Sequence, residues 1–202
     1  MRYRQKYSFK EKHKELDCKI LVFLRVLSAL VVNFSYFIYY LVRNMAVVEI
    51  YTDGSARGNP GPGGYGAILK YGKHEKELSQ GYRRTTNNRM ELLAVIVALE
   101  SLTKDGLDVD VYSDSKYVVE AVNQKWVFGW QKKGFKGKKN PDLWQRFLKV
   151  YPKHHVKFHW IKGHNEHYYN ERCDVLATTA ADGGGLLIDH GFEAAAAGKE
   201  LL

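Results

Sequence analysis

Apolar positions along the chain fall into short β-branched runs separated by longer stretches of helical spacing. Residues 20–42, ILVFLRVLSALVVNFSYFIYYLV, come first, 23 residues in which Arg25 is the only charge. Val47, Val48, Ile50 and Tyr51 then read as a short buried strand from their β-branched and aromatic content. Behind it lies a run of Gly54, Gly58, Gly61, Gly63 and Gly64 with Pro60 and Pro62, read as too broken for a helix or a strand interior. Tyr65–Tyr71 reads as a strand, Gly72-Lys73 as a turn and Glu75–Tyr82 as the hairpin partner. Leu92, Leu93, Val95, Ile96, Leu99 and Leu102 form a wide apolar face within residues 85–102, with Asn87 or Asn88 as N-cap. Asp108–Ser113 follows as a strand, Ser115–Val122 as a helix, Asp142–Val150 as a short amphipathic helix, Val156–Ile161 as a strand and Asn170–Ala181 as a helix. Asp182–Gly185 ends that helix, and Leu186–Leu202 is left as a tail. Strands alternating with helices predict an α/β sheet with helices on its faces.

Charge divides the chain into parts. Residues 1–45 carry 9 Lys+Arg against 3 acids, and residues 46–202 carry 22 against 19, so most of the net charge of +9 sits in the first part. Three segments are expected: 1–45, a basic stretch and an apolar helix; 46–182, the main domain; and 183–202, a C-terminal tail. Residues 20–42 are long enough to cross a bilayer as a helix. The basic residues ahead of them would hold the amino end in the cytoplasm and export the domain, which does not suit the substrate argued below. Met45 stands just before the first strand, so the preferred reading is a misassigned start, with the natural protein beginning there. A membrane anchor and an accessory helix are the other two readings. Cys18 and Cys173 are too few for a disulfide framework.

The candidate chemistry lies in four acids: Asp53 and Asp114 at the ends of strands, and Glu91 and Asp174 on helices. Each has an ordinary structural explanation, since Asp-Gly favours turns and an acid in the first turn suits the helix dipole. If the four converge, their repulsion calls for a divalent cation, and all-oxygen ligation favours Mg²⁺ or Mn²⁺. Two such ions about 4 Å apart activate water and stabilise a leaving oxygen in phosphodiester cleavage. Zinc is set aside: the histidines show no paired Cys/His spacing, and His154, His155 and His159 lie in or beside a strand. His164, after Gly163, is suited to carrying a proton near neutral pH. Lys125, Lys132, Lys133, Lys136, Lys138 and Lys139 interleave with Trp126, Phe128, Trp130 and Phe135, a texture for nucleic-acid contact. The alternative for that stretch is a solvated loop with its aromatics turned into the core.

YTDGSARGNPGPGGYGAIL, TTNNRMELLAVIVALE, YSDSKYVVEAV and WIKGHNEHYYNERCDVLA resemble bacterial type 1 ribonuclease H, from about Val47 to Ala181, with weaker similarity in LLIDHGFE. The resemblance implies a five-stranded mixed sheet with helices on both faces, here with an N-terminal apolar helical extension. It implies endonucleolytic hydrolysis of the RNA strand of RNA–DNA hybrids, leaving 3′-hydroxyl and 5′-phosphate ends, with two Mg²⁺ ions or Mn²⁺ in their place. By motif match, Asp53, Glu91, Asp114 and Asp174 would hold the metal, and Asp53 would bridge both ions. Glu91 would also sense a ribose 2′-hydroxyl, and His164 would assist proton transfer or product release. Asn59, Asn87 and Asn88 would contact the hybrid's minor groove, and Thr86 a DNA phosphate. The stretch with Trp126, Trp130, Lys132 and Lys133 would match the basic protrusion that grips the DNA strand. Lys116 stands where the family often has Gln, which bears on minor-groove contacts, and the protrusion is a few residues shorter than usual. The first 45 residues match neither the family nor its accessory hybrid-binding module. A monomeric, cytoplasmic enzyme is expected. Integrases and junction resolvases share an acid cluster but not TTNNRMEL or KGHNEHYYNERCD. A non-catalytic hybrid-binding protein would be expected to have lost an acid.

Overall fold

The computed structural model describes residues 24–25, 27–28, 30–39, 41, 47–163 and 167–200. The chain divides into two units, Met1–Met45 and Ala46–Leu202. In the first, the described residues between 24 and 41 are helical (α1). Residues 20–23, 26, 29, 40 and 42 of the 20–42 stretch lie outside the described residues. Among those described, no helix is long and apolar enough to cross a membrane.

The second unit is built on five strands, β1 (Val48–Ala56), β2 (Gly61–Tyr71), β3 (His74–Thr85), β4 (Asp108–Ser113) and β5 (His155–Trp160), in the order β3-β2-β1-β4-β5. β1, β2 and β3 pair antiparallel, and β1, β4 and β5 pair parallel, so the sheet is mixed as expected. Between the strands run α2 (Asn87–Glu100), α3 (Lys116–Asn123), α4 (Trp126–Lys132), α5 (Pro141–Val150) and the short 3₁₀ turn Tyr151–Lys153, and after β5 come α6 (Tyr168–Asp182) and α7 (His190–Glu200).

Strand alternation separates two cores. Val48 and Ile50 join α2, α3 and α5 on one face, while Tyr51 and Ile68 meet Cys173 of α6 on the other. α2 is buried nearly all round, from Arg89 through Leu99, rather than along one apolar face. A helix hydrophobic on every side belongs in a core. It carries Glu91 into the centre of the sheet.

The glycine run corrects the sequence reading. Gly54 lies inside β1, and Gly61, Gly63 and Gly64 lie inside β2; only Gly58, at φ 92°, sits in the turn between them. The reason is tertiary. A Cβ on Gly64, Gly66 or Gly81 would overlap the α6 backbone at Ala177, Cys173 or Ala180, so these glycines form a trough in which α6 lies flush on β2 and β3. Segment 183–202 is likewise more than a tail. Leu187 bridges to Tyr82, and Asp189 is buried against Arg89 of α2.

Candidate active site

Three elements deliver three carboxylates to the carboxyl edge of the parallel strands. Asp53 comes from β1, Asp114 from the turn after β4, and Glu91 from the second turn of α2. Ligand oxygens of Asp53, Glu91 and Asp114 all lie within 4.8 Å of one another. Gly54 makes this approach possible: a Cβ there would overlap the backbone at Met90 and Glu91. The Gly54 amide also donates to Asp53 Oδ1 at 2.7 Å. We expect Gly54→Ala to force β1 and α2 apart, at a cost of about 3 kcal/mol. Thermal melting checks this, and a variant melting within about 2 °C of wild type would refute the close approach.

The α2 cap also differs from the sequence expectation. The N-cap is Thr86, without a side-chain cap bond, and Asn87 is the first helical residue. Asn87 does not cap because its Nδ2 donates to Glu91 Oε1, at 3.3 Å. Glu91 is therefore one turn further in than a dipole-favoured first-turn acid, and its burial has no simple dipole explanation.

Burial and crowding set the charge state. The Asp53 carboxyl is pushed well above the usual range, by burial first and then by the charges of Asp114 and, more weakly, Asp174. Glu91 is raised by burial and then by Asp53 and Asp114. Its Oε2 is buried with no hydrogen-bond partner. A carboxylate oxygen stranded beside two other acids is costly unless a cation meets it. The donor set is all oxygen, which suits a hard divalent ion. The cluster therefore fits a metal.

Asp174, on α6, is not in that group of three, although its charge reaches Asp53. His164 lies outside the described residues. Asp114 is held by groups the sequence did not single out. The Nδ2 of Asn170 donates to Asp114 Oδ2 at 3.4 Å. The Asn170 Oδ1 is buried without a partner. Gly163 packs where any Cβ would crowd the Asp114 carboxylate. Asn170 precedes Asp174 by one helical turn, which is the signal that could have found it.

The hybrid-contact candidates lie in the β1–β2 turn, at the starts of α2 and α3, and in and just after α4. Asn59 is exposed in the β1–β2 turn, Thr86 and Asn87 are half-buried, and Asn88 is exposed. Lys116 is exposed at the start of α3. In the basic stretch the lysines lie outward and most of the aromatics turn inward. Lys132 and Lys133 are exposed, as is Trp126. Phe135 is buried, Phe128 and Trp130 pack on the core, and Trp130 meets Trp144 edge-on. Lys138 lies over the Trp130 ring, 5.0 Å from its centroid.

The RNase H family model matches residues 45–182. The ribonuclease H of Lachnoclostridium phytofermentans is 59% identical over 157 residues, covering 72% of this chain and 99% of that protein. The ribonuclease H of Pseudoalteromonas atlantica is 56% identical over 154 residues, covering 74% and 99%. Among solved structures, LC9-RNase H1, described as a type 1 RNase H with the type 2 active-site motif, superposes with a TM-score of 0.62 at 33% identity, covering 76% of this chain and 82% of its own. The N-terminal RNase H domain of a Mycobacterium tuberculosis protein superposes with a TM-score of 0.55 at 29% identity, covering 68% and 94%. With such matches spanning most of the chain and nearly all of its relatives, this protein belongs to the ribonuclease H family of enzymes.

Proposed function

We propose that this enzyme hydrolyses the RNA strand of RNA–DNA hybrids endonucleolytically, leaving 3′-hydroxyl and 5′-phosphate ends. The observation that carries the reading is the cluster of Asp53, Glu91 and Asp114, in which the Glu91 Oε2 is buried without a partner. Asp53, Glu91 and Asp114, with Asp174 beside them, would hold two Mg²⁺ ions or Mn²⁺. Those ions supply water activation and charge stabilisation at the leaving oxygen when bound.

The remaining work falls to the chain's own side chains. Glu91, fixed by the Asn87 amide, faces the site where a 2′-hydroxyl would report RNA. Asn59, Asn87 and Asn88 contact the minor groove, and Thr86 contacts a phosphate of the DNA strand. Lys116, Lys132 and Lys133, with Trp126 and Trp130, hold the backbones, so cleavage is nearly independent of sequence. His164 carries a proton or assists product release. The substrate is an intracellular one, and on that ground the proposed enzyme is a cytoplasmic monomer.

The test is the full chain with a labelled hybrid, beside duplex RNA and duplex DNA, with and without Mg²⁺. Metal-dependent cutting confined to the RNA of the hybrid is expected; tight hybrid binding without cutting would overturn the catalytic reading. Chelation should abolish cutting. Millimolar Mg²⁺ should raise the melting temperature by a few degrees, about 2–5 °C, because the ion binds only the folded cluster. Unchanged melting would count against a metal at these acids.

A further inference from the structure

We propose that Trp160 is a positioning residue for hybrid binding: its exposed indole face holds the Lys116 ammonium beside Asp114, ready to meet a backbone phosphate. This rests on the hybrid reading above and adds to it how Lys116 is presented.

Trp160 ends β5 and is 48% exposed, whereas Phe158, two residues earlier on the same strand, is 7% exposed. Core packing does not account for a large indole left half in water. Its Nε1 instead donates to the Asp114 backbone carbonyl at 3.0 Å, which fixes the ring against the end of β4. Lys116 opens α3 two residues beyond Asp114, and its Nζ lies 5.2 Å from the Trp160 ring centroid. That is within the range of a cation–π contact. Among the described residues no carboxylate pairs with Lys116. The ammonium is therefore pre-ordered by an aromatic face while its charge is left for another partner.

The physical advantage is entropic. A lysine free in water loses its rotamer freedom when it grips a phosphate. A ring that already holds the ammonium removes part of that loss before binding. A phosphate contact of this kind reads no base, in keeping with sequence-independent cutting.

The face and the N–H are separable. Trp160→Phe keeps an aromatic face and loses the N–H, whereas Trp160→Leu loses both. The KM for hybrid cleavage by the full chain, and its dependence on salt, are measured for both variants and for Lys116→Gln. Trp160→Leu is expected to raise KM about fivefold near physiological salt and to flatten the logarithmic salt slope only in part, because the Lys116 ammonium is still present. Lys116→Gln should raise KM at least as much and flatten the slope by about 0.9, the worth of one phosphate contact, and the double variant should go no further. Trp160→Phe should stay within about twofold of wild type in KM. Wild-type KM and slope in Trp160→Leu would overturn the proposal. So would a Trp160→Phe as impaired as Trp160→Leu with the loss in kcat, since the N–H to Asp114 would then be what matters. A wild-type chain that leaves the hybrid intact overturns the hybrid reading and this proposal with it. Wild-type cleavage with an unaffected Trp160→Leu overturns this proposal alone.

Discussion

Asp53→Asn should lower hybrid cleavage by at least about a thousandfold while hybrid binding persists, and it should make the metal-free protein more stable. Both effects have one cause. Asp53 stands within a cluster whose charges oppose it, and the fold holds its carboxyl protonated well above the usual range. The sign follows from linkage. A group with a raised folded-state pKa binds more protons folded than unfolded, so stability falls as pH climbs from the ordinary carboxylate range toward the raised value. The asparagine is nearly isosteric and its Oδ1 can still accept from the Gly54 amide, but it cannot ionise. The metal-free variant should therefore outlast wild type by about 2 kcal/mol at neutral pH, with the advantage vanishing near pH 4. Chemical denaturation in chelator across that range measures this. A variant with full cleavage would sink the site assignment, and one less stable than wild type at neutral pH would sink the electrostatic account.

Arg89→Ala should be the most damaging single change outside the acids, destabilising by about 3–5 kcal/mol. Arg89 sits in α2 at 3% exposure and serves two carboxylates. It donates to Asp189 through Nε and Nη2, both at 2.7 Å, and to Asp142 at 2.9 and 2.7 Å. Asp189 also accepts from Thr85 Oγ1 at 2.7 Å. Truncating the arginine leaves Asp189 buried with its main countercharge gone. Loss of α7 docking is expected before global unfolding, because Asp189 and the Arg83–Glu193 pair tie α7 down, while the backbone bonds of Leu187 to Gly81 and Arg83 hold only the segment before it. Hydrogen exchange in residues 186–200 would show it. Wild-type stability and protection there would mean that the network contributes little. Asp189→Asn should cost less than Arg89→Ala, since the amide oxygen can still accept from the guanidinium.

Apart from α4 and α7, the chain's order of elements was legible because it rests on local rules. Val48 and Ile50 alternate, Leu92 to Leu99 recur at helical spacing, and Asp108–Ser113 needed no partner to read as a strand. Of the four acids the motifs singled out, three meet in one group. What misled was the glycine run. Local rules treat Gly54–Gly64 as loop, yet most of it is strand, because α2 and α6 approach the backbone more closely than any side chain would allow. The tail was misread for a similar reason: Asp189 looks like any surface acid until Arg89, one hundred residues earlier in the chain, is seen against it. Trp160 and Gly163 had no local mark of function, since each reaches Asp114 from another element.

The sequence alone thus determined the α/β class and the order of the five strands and of α2, α3, α5 and α6, because those follow from periodicity within a few residues. Only the tertiary structure decided that Asp53, Glu91 and Asp114 share one site while Asp174 stands beside it, and that Glu91 is buried with an oxygen unpaired. Charge repulsion, desolvation and ion pairing act through space between groups far apart in the chain, and no local pattern encodes those distances.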